Sequence, residues 1–271
     1  MSTTTPATPP IDGFTDFTFA FENATHVVYR GGAGPAVLVV HEVPGIIPEV
    51  ARFARWVIDA GFTVYMPSLF GTPLRPFSLP YALGGIAMSC VSREFSTFAT
   101  NRSSRVVAWL RALSRRAFEE CGGKGVGMVG MCLTGNFGLA MMVEPFMLAP
   151  VLSQPSLPSG LTKKGRAALG ISNDELAAAK ERVAQGARIL AFRFDGDPLS
   201  PPERFACLRE TFGDAFEGYE LDPKAANPAG IKPPHSVLTT NLIDAPGEPT
   251  KEAANRALAF LREQLLPGQA T

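Results

Sequence analysis

Cysteine is scarce and scattered: Cys90, Cys121, Cys132 and Cys207 are the four in 271 residues, and no two form a CxxC pair. That spacing excludes a disulfide framework or a cysteine-based zinc site, and it favours reduced thiols and a cytoplasmic setting. Histidine is scarcer, with only His26, His41 and His235. No ligand cluster can be assembled from so few, so neither a metal nor another cofactor is expected. His41-Glu42 does not open a zincin motif, because position 45 is Gly45 and no second histidine follows. Charge of one sign is also lacking: Lys plus Arg and Asp plus Glu number 25 each, for a formal net charge of zero. A basic surface for a phosphate backbone is therefore not expected, and nucleic acid is excluded as a partner. No apolar run is long enough to cross a bilayer. The longest, Phe137 to Leu152, is broken by Glu144 and Pro145, so no membrane partner is expected. Met1–Pro10 has neither a basic nor an apolar stretch, and residues 1–12 read as a disordered tail rather than a signal peptide. Internal repeats and composition breaks are missing too, which gives one domain over 13–267. Nothing in the sequence indicates an oligomeric state.

What is present alternates between strand and helix. Phe17–Phe21 and Thr25–Tyr29 flank Glu22-Asn23 as a β-hairpin. Ala36–Val40 is a continuous apolar run, the pattern of a strand buried on both faces. Pro48 opens a helix whose apolar residues, from Val50 to Ile58, recur at helical spacing until Gly61. Strands are expected at 62–66, 146–152, 188–194 and 216–221. Helices are expected at 105–120, 173–185 and 201–212, and a last one capped by Thr250 and reaching Leu265. The Gly- and Pro-punctuated stretch 71–100 reads as a lid-like connection. Alternation of this kind implies an α/β fold, with a mainly parallel central sheet and helices on both faces.

The chemistry is concentrated at Val126–Ala140. Here an apolar strand enters a glycine-framed turn with Cys132 at its apex, and a helix-like segment follows. In a nucleophile elbow, small residues let strand and helix approach while the apex side chain projects free. Gly130 and Gly135 fit that arrangement; Thr134 stands where a glycine is usual. A cysteine nucleophile needs a base to form thiolate. His235, after the last strand, occupies the place an elbow enzyme gives its histidine. His41, at the end of a buried strand, is a second candidate, and His26 reads as a surface residue. Between Cys132 and His235, the segment Asp195-Gly-Asp197-Pro-Leu-Ser-Pro201 offers two acids to orient the base. Asp197 is preferred and Asp195 is the alternative. A helix-capping role is the bland reading of Asp197. Glu42 ends the central strand beside the elbow, where a carboxylate can gate thiolate formation.

Four separated blocks resemble the dienelactone hydrolase family of the α/β-hydrolase superfamily: Val39-Val-His-Glu42-Val-Pro-Gly45, Gly130-Met-Cys132-Leu-Thr-Gly135, Asp195–Pro201, and His235-Ser236. The likeness covers roughly Gly34–Leu266, and Gly61–Phe70 is similar to the family's second strand and its exit. It implies an α/β-hydrolase fold and a Cys132–Asp197–His235 triad. It also implies a Glu42 that contacts the nucleophile and helps activate it when substrate binds, and an oxyanion hole from the backbone N–H groups of Leu133 and Val43. Two positions depart from the family pattern: Thr134 in the elbow, and Thr239 where an arginine four residues after the histidine holds a substrate carboxylate. Arg75, Arg93 and Arg102, in or beside the 71–100 stretch, are then the candidate substrate anchors. The resulting expectation is hydrolysis of a small-molecule ester or lactone through a thioester. A non-catalytic small-molecule binding protein on the same fold, and a thiol redox sensor, are the alternatives.

Overall fold

The computed structural model describes residues 9–84, 104–157 and 163–267. The chain begins with β1 (Thr15–Phe21) and β2 (Ala24–Gly32), then β3 (Ala36–Val40), α1 (Pro48–Asp59) and β4 (Thr63–Ser68). After the first gap come α2 (Arg105–Cys121), β5 (Val126–Met131), α3 (Phe137–Met141) and β6 (Met147–Ser153). The remainder is α4 (Lys163–Ala167), α5 (Asn173–Ala184), β7 (Ile189–Phe194), α6 (Pro202–Phe212), β8 (Phe216–Leu221) and α7 (Pro249–Leu265).

The eight strands form one sheet in the order β1-β2-β4-β3-β5-β6-β7-β8. β1 pairs antiparallel with β2, with Phe19 opposite His26, and β2 pairs antiparallel with β4. From β4 to β8 all neighbours are parallel. This is the expected α/β-hydrolase architecture, hairpin included.

The two-face burial read from Ala36–Val40 has a direct counterpart in packing. Ala36, Leu38 and Val40 join the core beneath α2, α3, α5 and α6, whereas Val37 and Val39 join the one beneath α1 and α7. Strand residues alternate between faces with period two, so a strand sandwiched by helices must be apolar at every position. All five residues of β3 are buried.

The chain departs from the sequence expectations in three places. Residues 9–12 are not tail: Ile11 is buried, Tyr29 Oη–H donates to the Pro9 carbonyl, and Arg55 donates to the Asp12 carbonyl. One apolar side chain in a polar, proline-rich stretch was too weak a signal to fix that boundary. Residues 1–8 lie outside the described residues. Thr250 does not cap the last helix. Pro249 takes the first helical position after Glu248, which puts Thr250 inside the first turn, and its hydroxyl accepts from the Ile243 N–H instead. Within 71–100 a helical segment begins at 79, and residues 85–100 fall outside the described residues.

Candidate active site

Parallel strands bring their carboxyl ends to one edge, and ligands in open α/β sheets bind there. Glu42 follows β3, Cys132 follows β5, Gln154 follows β6, Asp197 follows β7, and His235 lies beyond β8. Residues far apart in sequence thus arrive at the same edge.

Cys132 sits at the apex of the β5 turn with φ +56°, a left-handed conformation that L side chains rarely adopt. Such strain costs on the order of 1–3 kcal/mol and persists only where the surroundings enforce it. The enforcement is visible. A Cβ on Gly130 would lie 2.3 Å from the Thr134 carbonyl oxygen, and one on Gly135 would lie 2.8 Å from Pro155 Cα. Thr134 is not a defect in the elbow. Its buried hydroxyl accepts from the Met131 N–H at 2.9 Å and lies within donating distance of the Val40 (3.0 Å) and His41 (3.2 Å) carbonyls. It pins the turn to the end of β3. The Cys132 carbonyl accepts from the Ser156 N–H at 3.0 Å, and Cys132 and Leu133 remain partly exposed at the apex.

His235 and Asp197 are both buried, with His235 Nδ1 2.7 Å from Asp197 Oδ2. The carboxylate accepts, so Nδ1 carries a proton and Nε2 is the nitrogen left for proton exchange. Asp197 Oδ1 also accepts from the Leu199 N–H at 2.9 Å. α6 starts without any side-chain cap, so Asp197 does not act as its cap. Asp195, 74 % exposed, turns outward beside Arg193 and does not reach the histidine. Burial opposes a charge on His235, but the Cys132 charge and then the Asp197 hydrogen bond overcome it, holding the ring protonated well above the usual histidine range. Nε2 makes no hydrogen bond of ordinary geometry among the described residues, yet Cys132 is near enough to act on it electrostatically. Catalytic contacts are often long in the absence of substrate.

Glu42 is buried in a cage of neutral donors. Ser236 Oγ–H donates to Oε2 at 2.6 Å, Gln154 Nε2–H donates to the same oxygen at 3.2 Å, and Thr239 Oγ1–H donates to Oε1. Burial raises its pKa; Ser236, Thr239, the His235 charge and Gln154 pull the other way. Thr239 therefore fills its family position with a hydroxyl committed to Glu42. Glu42 makes its hydrogen bonds to these three side chains, not to Cys132.

His41 is fully buried and held at both nitrogens: Nδ1–H donates to the Glu42 carbonyl at 2.8 Å, and Nε2 accepts from the Leu69 N–H at 3.0 Å. A ring that donates on one side and accepts on the other is neutral. Burial lowers its pKa to about 4. His41 latches the β3 exit to the β4 exit and does not face Cys132 as a free base. His26 is half-buried, edge-on to Trp109 with ring centroids 4.9 Å apart, rather than on the surface.

Arg75 stacks over Tyr81 at 4.2 Å, on a cleft of about 370 Å³ whose walls include Pro44, Phe70 and Pro80. Val43, half-buried, immediately precedes Pro44. Arg93 and Arg102 lie outside the described residues. Cys121 and Cys207 are free thiols on α2 and α6, and Cys90 is outside the described residues. Among the described residues no group of His, Cys, Asp or Glu could hold a metal, and no helix is long and apolar enough to cross a membrane.

Sequence reasoning missed three residues of this site. Asn241 accepts from the His235 and Ser236 N–H groups at 3.0 and 3.1 Å and donates to the Ile231 carbonyl, fixing the histidine loop. Ser236 and Gln154 hold Glu42. Gln154 and Asn241 lie in no motif, and Ser236 entered only as the neighbour of His235 in its block, with no role attached.

The family model for the dienelactone hydrolase family matches residues 24–158, a stretch that holds Glu42, Val43, Cys132 and Leu133, with Asp197 and His235 beyond it. No curated protein matches the chain in sequence. Among solved structures, a candidate dienelactone hydrolase from Klebsiella pneumoniae is 17 % identical with a TM-score of 0.63, covering 92 % of this chain and 98 % of its own. A dienelactone hydrolase from Anabaena variabilis is 12 % identical with a TM-score of 0.57, covering 93 % and 99 %. A cold-adapted esterase from an Arctic intertidal metagenomic library is also 12 % identical with a TM-score of 0.57, covering 96 % and 98 %. At these identities the structural likeness speaks for the fold, and the family match over the elbow and the β3 exit speaks for kinship. The chain belongs to the dienelactone hydrolase family, on an α/β-hydrolase fold.

Proposed function

We propose that this chain hydrolyses a small ester or lactone with Cys132 as nucleophile. The observation that carries the reading is a strained apex cysteine that acts electrostatically on a buried histidine, itself held 2.7 Å from a buried aspartate. In this reading His235 takes the thiol proton of Cys132, so that the sulfur attacks as thiolate beside an imidazolium. The thiolate sulfur attacks the carbonyl carbon, and the developing oxyanion is bound by the Leu133 and Val43 N–H groups. The C–O bond breaks, the leaving oxygen takes the Nε2 proton, and a thioester remains. Water then gives a proton to Nε2 as it attacks the thioester, and the acid leaves as thiolate is restored. Asp197 fixes the tautomer and bears the imidazolium charge.

Glu42, beside the elbow, belongs to the same proposal as a group that assists thiol activation when substrate binds. Arg75 at the cleft is the described candidate for holding a polar substrate group. Unpaired thiols and a thiolate nucleophile suit a reducing, cytoplasmic setting.

The test is turnover of p-nitrophenyl acetate and simple lactones by wild type, Cys132→Ala and His235→Asn. Loss of turnover in both variants, with unchanged melting temperature, supports the reading. Equal rates in all three proteins contradict it.

A further inference from the structure

Arg204, on α6, is fully buried, yet its guanidinium makes no ion pair among the described residues. It donates instead to three main-chain carbonyls. Nε–H reaches Ala168 at 2.8 Å, and Nη1 reaches both Pro155 at 2.6 Å and Leu199 at 3.2 Å. A buried guanidinium is costly to desolvate, and three carbonyls return only part of what water supplied. Burial lowers its pKa to about 10, and the Asp197 charge is the foremost influence keeping it protonated. An apolar side chain would fill the same space without that cost.

Two of the three carbonyls belong to segments that build the active site. Leu199 is the residue whose N–H donates to Asp197 Oδ1 at 2.9 Å. Pro155 adjoins Ser156, whose N–H donates to the Cys132 carbonyl at 3.0 Å, and its Cα is what a Cβ on Gly135 would strike. One guanidinium nitrogen therefore spans the acid loop after β7 and the β6 exit that supports the nucleophile turn. Arg's planar fork can hold several carbonyls in fixed directions; a lysine ammonium cannot reproduce it.

We propose that Arg204 is a positioning residue for the reaction: it fixes the Asp197 loop against the support of the elbow, so that Asp197 stays aligned on His235. The inference rests on the Cys132–His235–Asp197 reading above. Arg204 touches neither substrate nor the reacting atoms; it acts through Asp197.

The experiment compares Arg204→Lys, which keeps the charge and loses the fork, with wild type, in both the native and the Asp197→Asn backgrounds. Steady-state turnover of p-nitrophenyl acetate is measured alongside the pH profile of iodoacetamide alkylation, followed on the Cys132 peptide by mass spectrometry. In the native background, Arg204→Lys is expected to lower kcat about tenfold with KM within about twofold, as for a misplaced catalytic group. The alkylation profile is expected to shift, because a misaligned Asp197 no longer supports the protonated His235 beside Cys132. With Asp197 already replaced, Arg204→Lys should add less than about twofold, because the two act as a unit. An unmoved alkylation profile, or an equal loss in both backgrounds, overturns the inference. If Arg204→Lys does not fold, Arg204→Gln carries the same comparison; failure of both to fold makes Arg204 a purely structural residue and overturns it too. His235→Asn separates the two readings. An unmoved profile in that variant removes the triad, whereas a shift there with none in Arg204→Lys removes only the role of Arg204.

Discussion

His235 Nδ1 lies 2.7 Å from Asp197 Oδ2, and both side chains are buried at the carboxyl edge of the sheet. This pairing leaves Nε2 as the proton-carrying position toward Cys132. Asp197→Asn keeps the shape but turns an N–H toward a ring that needs an acceptor, which favours the wrong tautomer. The variant is expected to lose on the order of 10³-fold or more in kcat with KM little changed. Steady-state kinetics checks this, and a loss under tenfold would contradict it.

The charge on Cys132 is the foremost influence raising the His235 pKa, against burial, with Asp197 next. Replacing Cys132 by Ala removes that partner, so the ring should titrate lower than in wild type; NMR of the imidazole protons reads this directly. The linkage has a definite sign. A raised folded-state pKa contributes stability that is fully present below the unfolded value near 6.5 and is lost as pH rises through the folded value. Urea midpoints should therefore fall toward alkaline pH in wild type, and fall less in His235→Asn.

His41 has the opposite sign. Its pKa is lowered to about 4 from 6.5 by burial. The stability it contributes is present above 6.5 and is lost as pH falls through the folded value, amounting to about 3 kcal/mol across that window. His41→Gln, which cannot titrate, should lose less stability between pH 7 and 4 than wild type in urea unfolding, whatever its stability at neutral pH.

Thr134→Val keeps the volume and removes the hydroxyl that accepts from the Met131 N–H and donates toward the β3 carbonyls. Leaving buried main-chain groups unpaired costs about 1–3 kcal/mol. Thermal unfolding should register that loss, and a kcat reduction should accompany it because the elbow loses its pin to β3. A variant as stable and active as wild type would remove the pinning account.

Patterns local in sequence were legible. The two-faced burial of β3, the hairpin around Glu22-Asn23 and the glycine-framed turn at Cys132 each announce themselves through period, turn chemistry or steric need. Asp197 could be preferred over Asp195, but only the structure shows one buried against His235 and the other 74 % exposed. The long-range polar cage around Glu42 was not legible. Gln154 reaches it from the β6 exit and Ser236 and Thr239 from the segment after His235, and no spacing rule encodes such a meeting. Thr134 was legible only as a departure, because its value lies in carbonyls some 90 residues away.

Glu42 faces only hydroxyl and amide donors among its hydrogen-bond partners, and burial raises its pKa. Its sign matches that of His235: stability is present below the ordinary carboxylate value of 4.5 and is lost as pH rises through the folded value. Glu42→Gln should remove that loss, leaving the protein at least as stable at pH 8. A group that assists thiol activation should also cost about tenfold or more in kcat when neutralised. Retained kcat in Glu42→Gln would confine Glu42 to structure.

The most direct test of the central claim is mass spectrometry of wild-type protein quenched in acid during turnover of p-nitrophenyl acetate. The account predicts an acetyl adduct on the Cys132 peptide that accumulates in wild type and is missing from Cys132→Ala. Ester turnover with no adduct on Cys132, or with turnover unchanged in Cys132→Ala, would contradict it.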